Sequence, residues 1–408
     1  RWHNVVMSYA DIVKEANKYS SVLTDIRRDL HQIPEFGLQL PKTLERVLAS
    51  VHGLGEITVS KTITSAVLHI KGAHPGPTVL LRADMDALAV VEDTGLDFAS
   101  TNGYMHACGH DLHMAMGIGA AHLIATHKDE LKGDVIIWFQ PGEEGHGGAD
   151  VMLEEDMHLV SGQMPIAAYG IHVFSSYPKG LFGSKVGPLM AAAGGMTVTF
   201  KGAGGHGSMP WLSKDPISPM AEAISALQTM VNKRFSAFDP VVINVGWVKA
   251  GDDHTENVIP EVASFGATIR TFSVANTDKV KQYSTELLNG IAAAHGLEVE
   301  INFMPSTKVL MNDAKAIDRV EHVIQDAFGP GRYWTMPDPI AGGEDFASIV
   351  DLIPGAFVFM GACPDGIDPS TASTNHSNKA MFDDSVIADG AALLASLAFD
   401  ALNEAAKN

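Results

Sequence analysis

The order of strands and helices between about residues 194 and 303 constrains the fold more than any other feature. Alternation of apolar and polar residues predicts half-buried strands, and apolar residues three or four positions apart predict amphipathic helices. The segments are, in chain order, a strand at 196–200, a helix at 217–231, strands at 241–248 and 262–270, a helix at 277–294 and a strand at 298–301. This β-α-β-β-α-β order is that of the split βαβ or ferredoxin-like motif. It predicts a small separate domain within the chain.

The segments on both sides of this stretch follow another pattern, in which short apolar runs alternate with helical ones. Helices are predicted over residues 9–49, interrupted at Pro34, and over 113–127, and buried strands at 78–81, 134–139 and 356–360. A chain of 408 residues exceeds what one hydrophobic core usually supports. We therefore predict an α/β domain formed by residues 1–190 and 305–408, with residues 191–304 inserted through linkers near Gly187-Pro188 and Met304-Pro305.

The composition argues against several classes of partner. There are 28 basic and 48 acidic residues, a net charge of −20, which repels phosphate backbones and anionic lipids. No apolar run approaches the roughly 18–20 residues of a membrane span, and no secretory signal is evident, although the chain begins with Arg1 and a removed leader stays open. Two cysteines, Cys108 and Cys363, are too few for a disulfide scaffold. We expect a cytoplasmic protein without nucleic acid or membrane partners.

Residues suited to metal binding and proton transfer follow the predicted buried strands. Asp84 and Asp86 come after the first strand, Glu143 and Glu144 after the second, and His172 at the end of a third apolar run. In open α/β sheets, ligands bind beyond the carboxyl ends of the strands. This placement predicts one site at the sheet edge.

Cys108 and His110 point to the same side of the chain if their segment is extended. A cysteine near a helix start and a metal readily becomes a thiolate, which is a strong soft ligand. The alternative is a small buried cysteine before a helix that Asp111 caps. The presence of His106, His110 and His113 within eight residues favours a metal, although not all three can be ligands.

Adjacent carboxylates such as those of Glu143 and Glu144 repel each other, so stability alone does not call for the pair. A metal resolves this conflict when one carboxylate binds the cation and the other accepts a proton from water. The alternative is a pair of solvated loop glutamates, which the preceding apolar strand makes less favoured.

Other candidates are weaker when each is taken alone. His172 and His376 are single histidines, which are more often structural than metal-binding. His206 lies in a glycine-rich loop at residues 204–210 of the predicted inserted domain. Asn257 and Arg270 belong to the same domain, and the planar guanidinium of Arg270 could hold a carboxylate. The alternative for Arg270 is a strand-end charge that faces solvent.

Eight motifs occur in order along the chain. They are Arg27-Arg28-Asp29-Leu30-His31, Arg82-Ala83-Asp84-Met85-Asp86-Ala87-Leu88, His106-Ala107-Cys108-Gly109-His110-Asp111, Gln140-Pro141-Gly142-Glu143-Glu144, Gly205-His206-Gly207-Ser208-Met209-Pro210, Asn257-Val258-Ile259-Pro260, Gly343-Glu344-Asp345-Phe346 and Asn375-His376-Ser377. Together they resemble the aminoacylase and glutamate-carboxypeptidase metallopeptidase family. The likeness is to its amidohydrolase branch, which includes hippurate hydrolase, indole-acetyl amino acid hydrolases and N-acyl-L-amino acid amidohydrolases. It covers about residues 9–397.

The resemblance implies a mixed-sheet, zinc-peptidase-like catalytic domain and an inserted ferredoxin-like lid domain that mediates homodimerisation. It implies two divalent metal ions per subunit, for which Zn, Mn, Co and Ni all suit the ligands. Carried over by motif, the metal ligands would be Cys108, as the bridge, with His110, Glu144, His172 and His376. Glu143 would be the general base and Asp86 the carboxylate that orients a ligand. His206 would stabilise the oxyanion, and Asn257 and Arg270 would hold the substrate carboxylate.

Three positions depart from the family pattern. Asp84 stands where peptidase members have a histidine, a change that the amidohydrolase branch shares. Ala89 replaces a proline and Gly142 a frequent alanine; neither change touches a proposed ligand, so these two bear on substrate fit more than on activity. The resemblance implies hydrolysis of N-acyl amino acids to a carboxylic acid and an amino acid. Two alternatives are a dipeptidase or carboxypeptidase of the same family, and a non-catalytic metal-binding descendant. The intact Glu143 and five ligand positions argue against the last.

Overall fold

The computed structural model describes residues 8–407, which form two compact units. Within the described residues, unit 1 comprises 8–189, 311–338 and 345–407, and unit 2 comprises Met190–Leu310 and Pro339–Glu344. The first residues of the chain, where a leader would be sought, lie outside the described residues. Residues 339–344 belong with unit 2 because the backbone N–H of Ala191 donates to the carbonyl of Ile340 at 3.1 Å.

The described residues form ten α-helices and sixteen strands. The helices are α1 (Tyr9–Lys18), α2 (Ser20–His31), α3 (Pro41–Val51), α4 (His110–Thr126), α5 (Gly148–Glu154), α6 (Ile217–Arg234), α7 (Val274–Ala294), α8 (Ala314–Phe328), α9 (Phe346–Leu352) and α10 (Val386–Ala405). The strands are β1 (Glu56–Val59), β2 (Ala66–Lys71), β3 (His74–Asp84), β4 (Lys132–Gln140), β5 (Ala167–Phe174), β6 (Phe182–Ser184), β7 (Gly187–Met190), β8 (Ala192–Lys201), β9 (Gly205–His206), β10 (Val241–Ala250), β11 (Val258–Ile259), β12 (Val262–Thr271), β13 (Glu298–Phe303), β14 (Leu310–Asn312), β15 (Tyr333–Thr335) and β16 (Gly355–Gly361).

Unit 1 is built on an eight-stranded mixed sheet with the order β1-β2-β4-β3-β5-β16-β6-β15. The four central strands, β4, β3, β5 and β16, run parallel, and β1, β2 and β6 pair antiparallel. Every residue of β16 is buried, as expected for a parallel strand covered on both faces. The predicted mixed-sheet α/β fold is confirmed.

Helix α10 corrects one sequence expectation. It is 20 residues long and apolar enough, by length and composition, to cross a membrane, although no run of that kind was expected. Most of it is buried inside unit 1, where Leu393, Leu394 and Leu397 belong to the hydrophobic core. The core helix of a soluble protein has the same composition, so this helix is weak evidence for a membrane span.

Unit 2 contains a four-stranded antiparallel sheet with the order β10-β12-β8-β13. Its main elements follow the chain order β8-α6-β10-β12-α7-β13, and the short pair β9–β11 lies in the connections. Its core joins Phe200 and Phe265 of the sheet to Leu227 of α6 and Leu288 of α7. The roles of lid and dimerisation domain stay predictions.

Candidate metal centre

The ends of the parallel strands of unit 1 place the candidate ligands near one another. Strand β3 ends at Asp84, two residues before Asp86, and β4 ends three residues before Glu143. His172 lies on β5, two residues before the end of that strand. Because β3, β4 and β5 are parallel, their carboxyl ends meet at the same edge.

Two groups of metal-ligand atoms share the sulfur of Cys108. The first group joins Cys108 to His110 and His172, and all three residues are buried. The second joins Cys108 to Glu144 and His376. Within each group the ligand atoms lie within 4.8 Å of one another. A shared sulfur between two groups is the arrangement that a bridging thiolate requires.

The distances around Cys108 are short. Its Sγ lies 3.4 Å from Nε2 of His172 and 3.2 Å from Nε2 of His376. The same nitrogen of His376 lies 3.1 Å from Oε1 of Glu144, which is 4.0 Å from Nε2 of His110. The five side chains thus form one continuous set of candidate sulfur, nitrogen and oxygen ligands.

The carboxylate of Asp86 holds the backbone of Glu143 and Glu144. Its Oδ1 accepts from the backbone N–H of Glu143 and its Oδ2 from that of Glu144, both at 3.0 Å. Its backbone carbonyl accepts from Nδ1 of His110 at 2.8 Å. With Nδ1 donating, the Nε2 of His110 faces the site, where it is buried and has no hydrogen-bond partner among the described residues.

Without a cation, the pKa values of Cys108 and His110 are both shifted so that the protonated forms are favoured. Burial, and then the charge of Glu144, raise the pKa of Cys108 to about 12, so the thiol keeps its proton. Burial favours neutral His110, but the charge of Asp84, the hydrogen bond to Asp86 and other nearby groups together outweigh burial and raise the pKa of His110 well above its usual value. A cation would reverse both preferences, because it stabilises a thiolate and binds a neutral imidazole. The unpartnered Nε2 of His110 and the mixed S, N and O ligands therefore fit a divalent metal.

His172 is prepared to act as a neutral ligand. Its Nδ1 donates to the carbonyl of Val173 at 2.9 Å, so the lone pair on Nε2 faces Cys108. Burial, and then the nearby His113, hold the pKa of His172 well below its usual value.

The three histidines clustered in the sequence, at positions 106, 110 and 113, have different surroundings in the structure. His113 also lies close to Asp84 and His110, but both of its ring nitrogens are already occupied. Its Nδ1 donates to Asp84 at 2.6 Å and its Nε2 accepts from the backbone N–H of Val173 at 2.9 Å. His106 is buried without a hydrogen-bond partner among residues 8–407, and burial lowers its pKa to about 3. Of the three, only His110 belongs to the groups that share Cys108.

The expectation that Asp111 caps a helix was wrong. Helix α4 begins at His110, and its N-cap is Gly109, whose φ of 88° lies in the left-handed region that favours glycine. The carboxylate of Asp111 instead lies 2.7 Å from both Nε of Arg27 and Nδ1 of His31. Two buried cationic partners more than 70 residues away therefore outcompeted a local cap, which gives a role to the Arg27–His31 motif.

Unit 2 holds the other three candidate residues. His206 pairs with Val258 across β9 and β11, and the backbone N–H of Gly207 donates to the carbonyl of Asn257 at 2.7 Å, so His206 and Asn257 lie on adjoining segments. Nδ1 of His206 accepts from the N–H of Ser208 at 3.1 Å. The neutral ring therefore carries its proton on Nε2, the form that can donate to an oxyanion.

Arg270 is half-buried on β12, and it does not simply face solvent as the alternative interpretation expected. Its Nε donates to the carbonyl of Ala341 at 3.0 Å, and its Nη1 donates to Thr268 and to backbone carbonyls. All these partners are uncharged, and no carboxylate within the described part of the chain forms an ion pair with it.

Sequence reasoning missed the hydrogen bonds of His113 with Asp84 and with the backbone N–H of Val173. The available signal was its place three residues after His110, since residues three apart lie on the same face of a helix. Asp84 was expected at the sheet edge and noted as a departure from the family pattern, but its partners were not predicted. In the structure it forms an ion pair with Arg82 and a hydrogen bond with His113.

Comparison with known proteins agrees with this geometry. Residues 80–400 match the peptidase family M20/M25/M40. N-acetylcysteine deacetylase of Bacillus subtilis is 36% identical over 342 residues, which cover 83% of this chain and 88% of the relative. Thermostable carboxypeptidase 1 of Saccharolobus solfataricus is 33% identical over 382 residues, covering 92% and 94%. The crystal structure of the YxeP protein of Bacillus subtilis, a dinuclear metal-binding peptidase of the M20 family, has a TM-score of 0.80, with 32% identity and coverage of 95% and 99%.

Proposed function

The chain belongs to peptidase family M20/M25/M40, and from this premise we propose that it hydrolyses the amide bond of N-acyl amino acids. It is a metal-dependent amide hydrolase with a dinuclear metal site, as its relatives and the candidate ligand groups show. The N-acyl amino acid substrate and the individual residue roles are the proposal. The observation that carries it is the pair of ligand groups that share Cys108 beside Glu143.

Cys108 would bridge two divalent cations, one held with His110 and His172 and the other with Glu144 and His376. When bound, the two cations lower the pKa of water and polarise the amide carbonyl. The metal could be Zn, Mn, Co or Ni, because thiolate, imidazole and carboxylate together suit all four.

Glu143 is proposed as the general base. Its Oε2 lies 3.9 Å from Nε2 of His110, so its carboxylate reaches the ligand set, while Asp86 fixes its backbone N–H. The carboxylate would accept a proton from the attacking water and then deliver it to the leaving amine nitrogen. Water and the amide are thereby converted to a carboxylic acid and a free amino acid.

Three residues of unit 2 would act on the substrate. The Nε2–H of His206 would donate a hydrogen bond to the tetrahedral oxyanion. A donor at this place stabilises the negative charge that develops in the transition state. Arg270, with Asn257, would hold the substrate carboxylate. The support for Arg270 is that its half-buried guanidinium has only uncharged partners, so a substrate carboxylate would be its first anionic contact.

A substrate matrix on metal-reconstituted protein tests this proposal. N-acetyl and N-benzoyl amino acids would be compared with unblocked dipeptides carrying the same C-terminal residue, with Glu143→Gln as the control for contaminating activity. We expect clear preference for the N-acyl substrates. Preference for dipeptides would favour the peptidase alternative, and a metal-loaded protein inert on the whole panel would favour a non-catalytic descendant.

We propose a homodimer formed through unit 2. Strand β10 is an edge of its sheet, and Val242, Trp247 and Val248 on it are exposed, a surface that a second copy could cover. Light scattering of the purified protein checks this.

A cytoplasmic location is also proposed, supported by the two free, buried thiols of Cys108 and Cys363. Fractionation of cells that express the full-length protein tests it.

A further inference from the structure

We propose that Asn375 is a positioning residue that holds three of the candidate metal ligands, Cys108, His172 and His376, in their relative places. The inference rests on the proposed metal centre. Asn375 is not itself a ligand in either group that shares Cys108. It precedes His376 in the chain, and its side chain reaches the two segments that carry the other two ligands.

The amide of Asn375 connects backbone groups from distant parts of unit 1. Its Nδ2 donates to the carbonyl of Val173 at 2.9 Å and to that of Cys108 at 3.2 Å. Its Oδ1 accepts from the backbone N–H of Ser175 at 3.0 Å. The flipped amide would set an oxygen against two carbonyls and an NH₂ against an N–H, so the network determines the orientation.

The contact with Val173 also bears on His172. The carbonyl of Val173 receives both Nδ2 of Asn375 and Nδ1 of His172, the latter at 2.9 Å. That second hydrogen bond decides that Nε2 of His172 faces Cys108. By fixing the carbonyl, Asn375 helps to fix the orientation of the ligand ring.

His376 gives independent evidence that its loop must be held. Its φ of 70° lies in the left-handed region, which is uncommon and strained for a residue other than glycine. Its side chain is 55% exposed, so packing does little to hold it. Its N–H donates to the carbonyl of Ala107 at 2.9 Å, and the amide of Asn375 secures the adjacent residue to Cys108. Strain of this kind persists only where surrounding contacts over-determine the backbone.

The test compares Asn375→Asp and Asn375→Ala with matched changes at Asn378. Asn375→Asp nearly preserves shape and the Oδ1 acceptor, but it removes both donors and sets a charged oxygen against the carbonyls of Val173 and Cys108. Asn375→Ala removes the same hydrogen bonds without adding a charge. Asn378 lies in the same loop and is exposed, and its side chain has no hydrogen bond within the described residues, so Asn378→Asp and Asn378→Ala control for charge and truncation.

The affinity for Zn²⁺, and separately for Mn²⁺, would be measured by competition with a chromophoric chelator. Loss of groups that orient metal ligands typically weakens metal affinity by about 10–100-fold. We expect this loss in both Asn375 variants and no change in the Asn378 variants. At saturating metal, kcat should stay low while KM is unchanged, because Asn375 would orient ligands without contacting substrate.

Thermal unfolding of the metal-free proteins separates positioning from a general loss of fold. Wild-type metal affinity in a folded Asn375→Ala or Asn375→Asp overturns the inference, as does an affinity loss equal to that of the Asn378 controls. If Asn375→Ala does not fold, Asn375→Asp alone decides. The chelator assay contains no substrate, so a failure of the proposed activity on N-acyl amino acids would be seen separately from a failure of this inference.

Discussion

Glu143 and Glu144 are adjacent in the chain, yet we expect Glu143→Gln and Glu144→Gln to fail in different ways. Glu143→Gln should keep its metals and lose turnover. An amide has nearly the shape of a carboxylate, and the backbone N–H that Asp86 accepts is unchanged by the substitution. Glu143 also lies outside the two ligand groups that share Cys108. The defect should therefore be confined to proton transfer.

The magnitude follows from the proposed role. General-base catalysis contributes about 10²–10⁴-fold to a rate, which corresponds to roughly 3–5 kcal/mol of transition-state stabilisation. Glu144→Gln should instead lose metal and activity together, because Glu144 belongs to the group with Cys108 and His376. Its amide oxygen is uncharged and a poorer ligand for a divalent cation.

The assay combines kcat at saturating substrate and metal with metal content by mass spectrometry on the same preparations. Near-normal turnover in Glu143→Gln would rule it out as the base. Equal metal loss in both variants would refute the division of labour between the two carboxylates, even if both were inactive.

Three further predictions concern other residues. Cys108→Ser should lower metal content and activity in parallel, since a hydroxyl is a far poorer bridge than a thiolate; full occupancy with full activity would show that Cys108 only packs. Arg270→Ala should raise KM by about 10–100-fold for substrates with a free carboxylate, because a charge-assisted contact is typically worth roughly 1.5–3 kcal/mol, and it should change KM little for their amide analogues; equal effects on both would assign Arg270 a structural role. If His206 serves the partner subunit, inactive His206→Ala and Glu143→Ala should regain about a quarter of wild-type activity when mixed, since random exchange makes half the dimers mixed with one competent cleft each. Demonstrated subunit exchange without recovery would place His206 in its own subunit's cleft.

The proposed N-acyl substrate rests on chemistry that both kinds of named relative share. A deacetylase and a carboxypeptidase are similar to this chain over most of its length. The ligand groups around Cys108 account for hydrolysis of an amide in either kind of substrate. The preference for an N-acyl amino acid over a dipeptide with a free amine depends on other contacts, and the substrate matrix tests that preference.

Local sequence patterns determined a large part of this protein. Hydrophobic periodicity gave the central strands β3, β4 and β16 within a few residues of their observed bounds, because a buried parallel strand is a continuous apolar run. The same reasoning placed Glu143 and Glu144 at the sheet edge, because parallel strands end on one side.

Tertiary structure decided which polar groups meet. Asp111 is of a residue type that caps helices, and it comes just before the helix predicted at 113–127. Its carboxylate instead binds Arg27 and His31, which are both far away in the chain. Asn375 and Cys108 are 267 residues apart, and no periodicity relates them. Hydrogen-bond partners depend on three-dimensional proximity, whereas strands and helices depend on spacing along the chain. The sequence alone therefore determined the strands and, through its motifs, predicted His110 as a ligand. Only the folded chain showed that both ring nitrogens of His113 are already hydrogen-bonded and gave Asn375 its contacts.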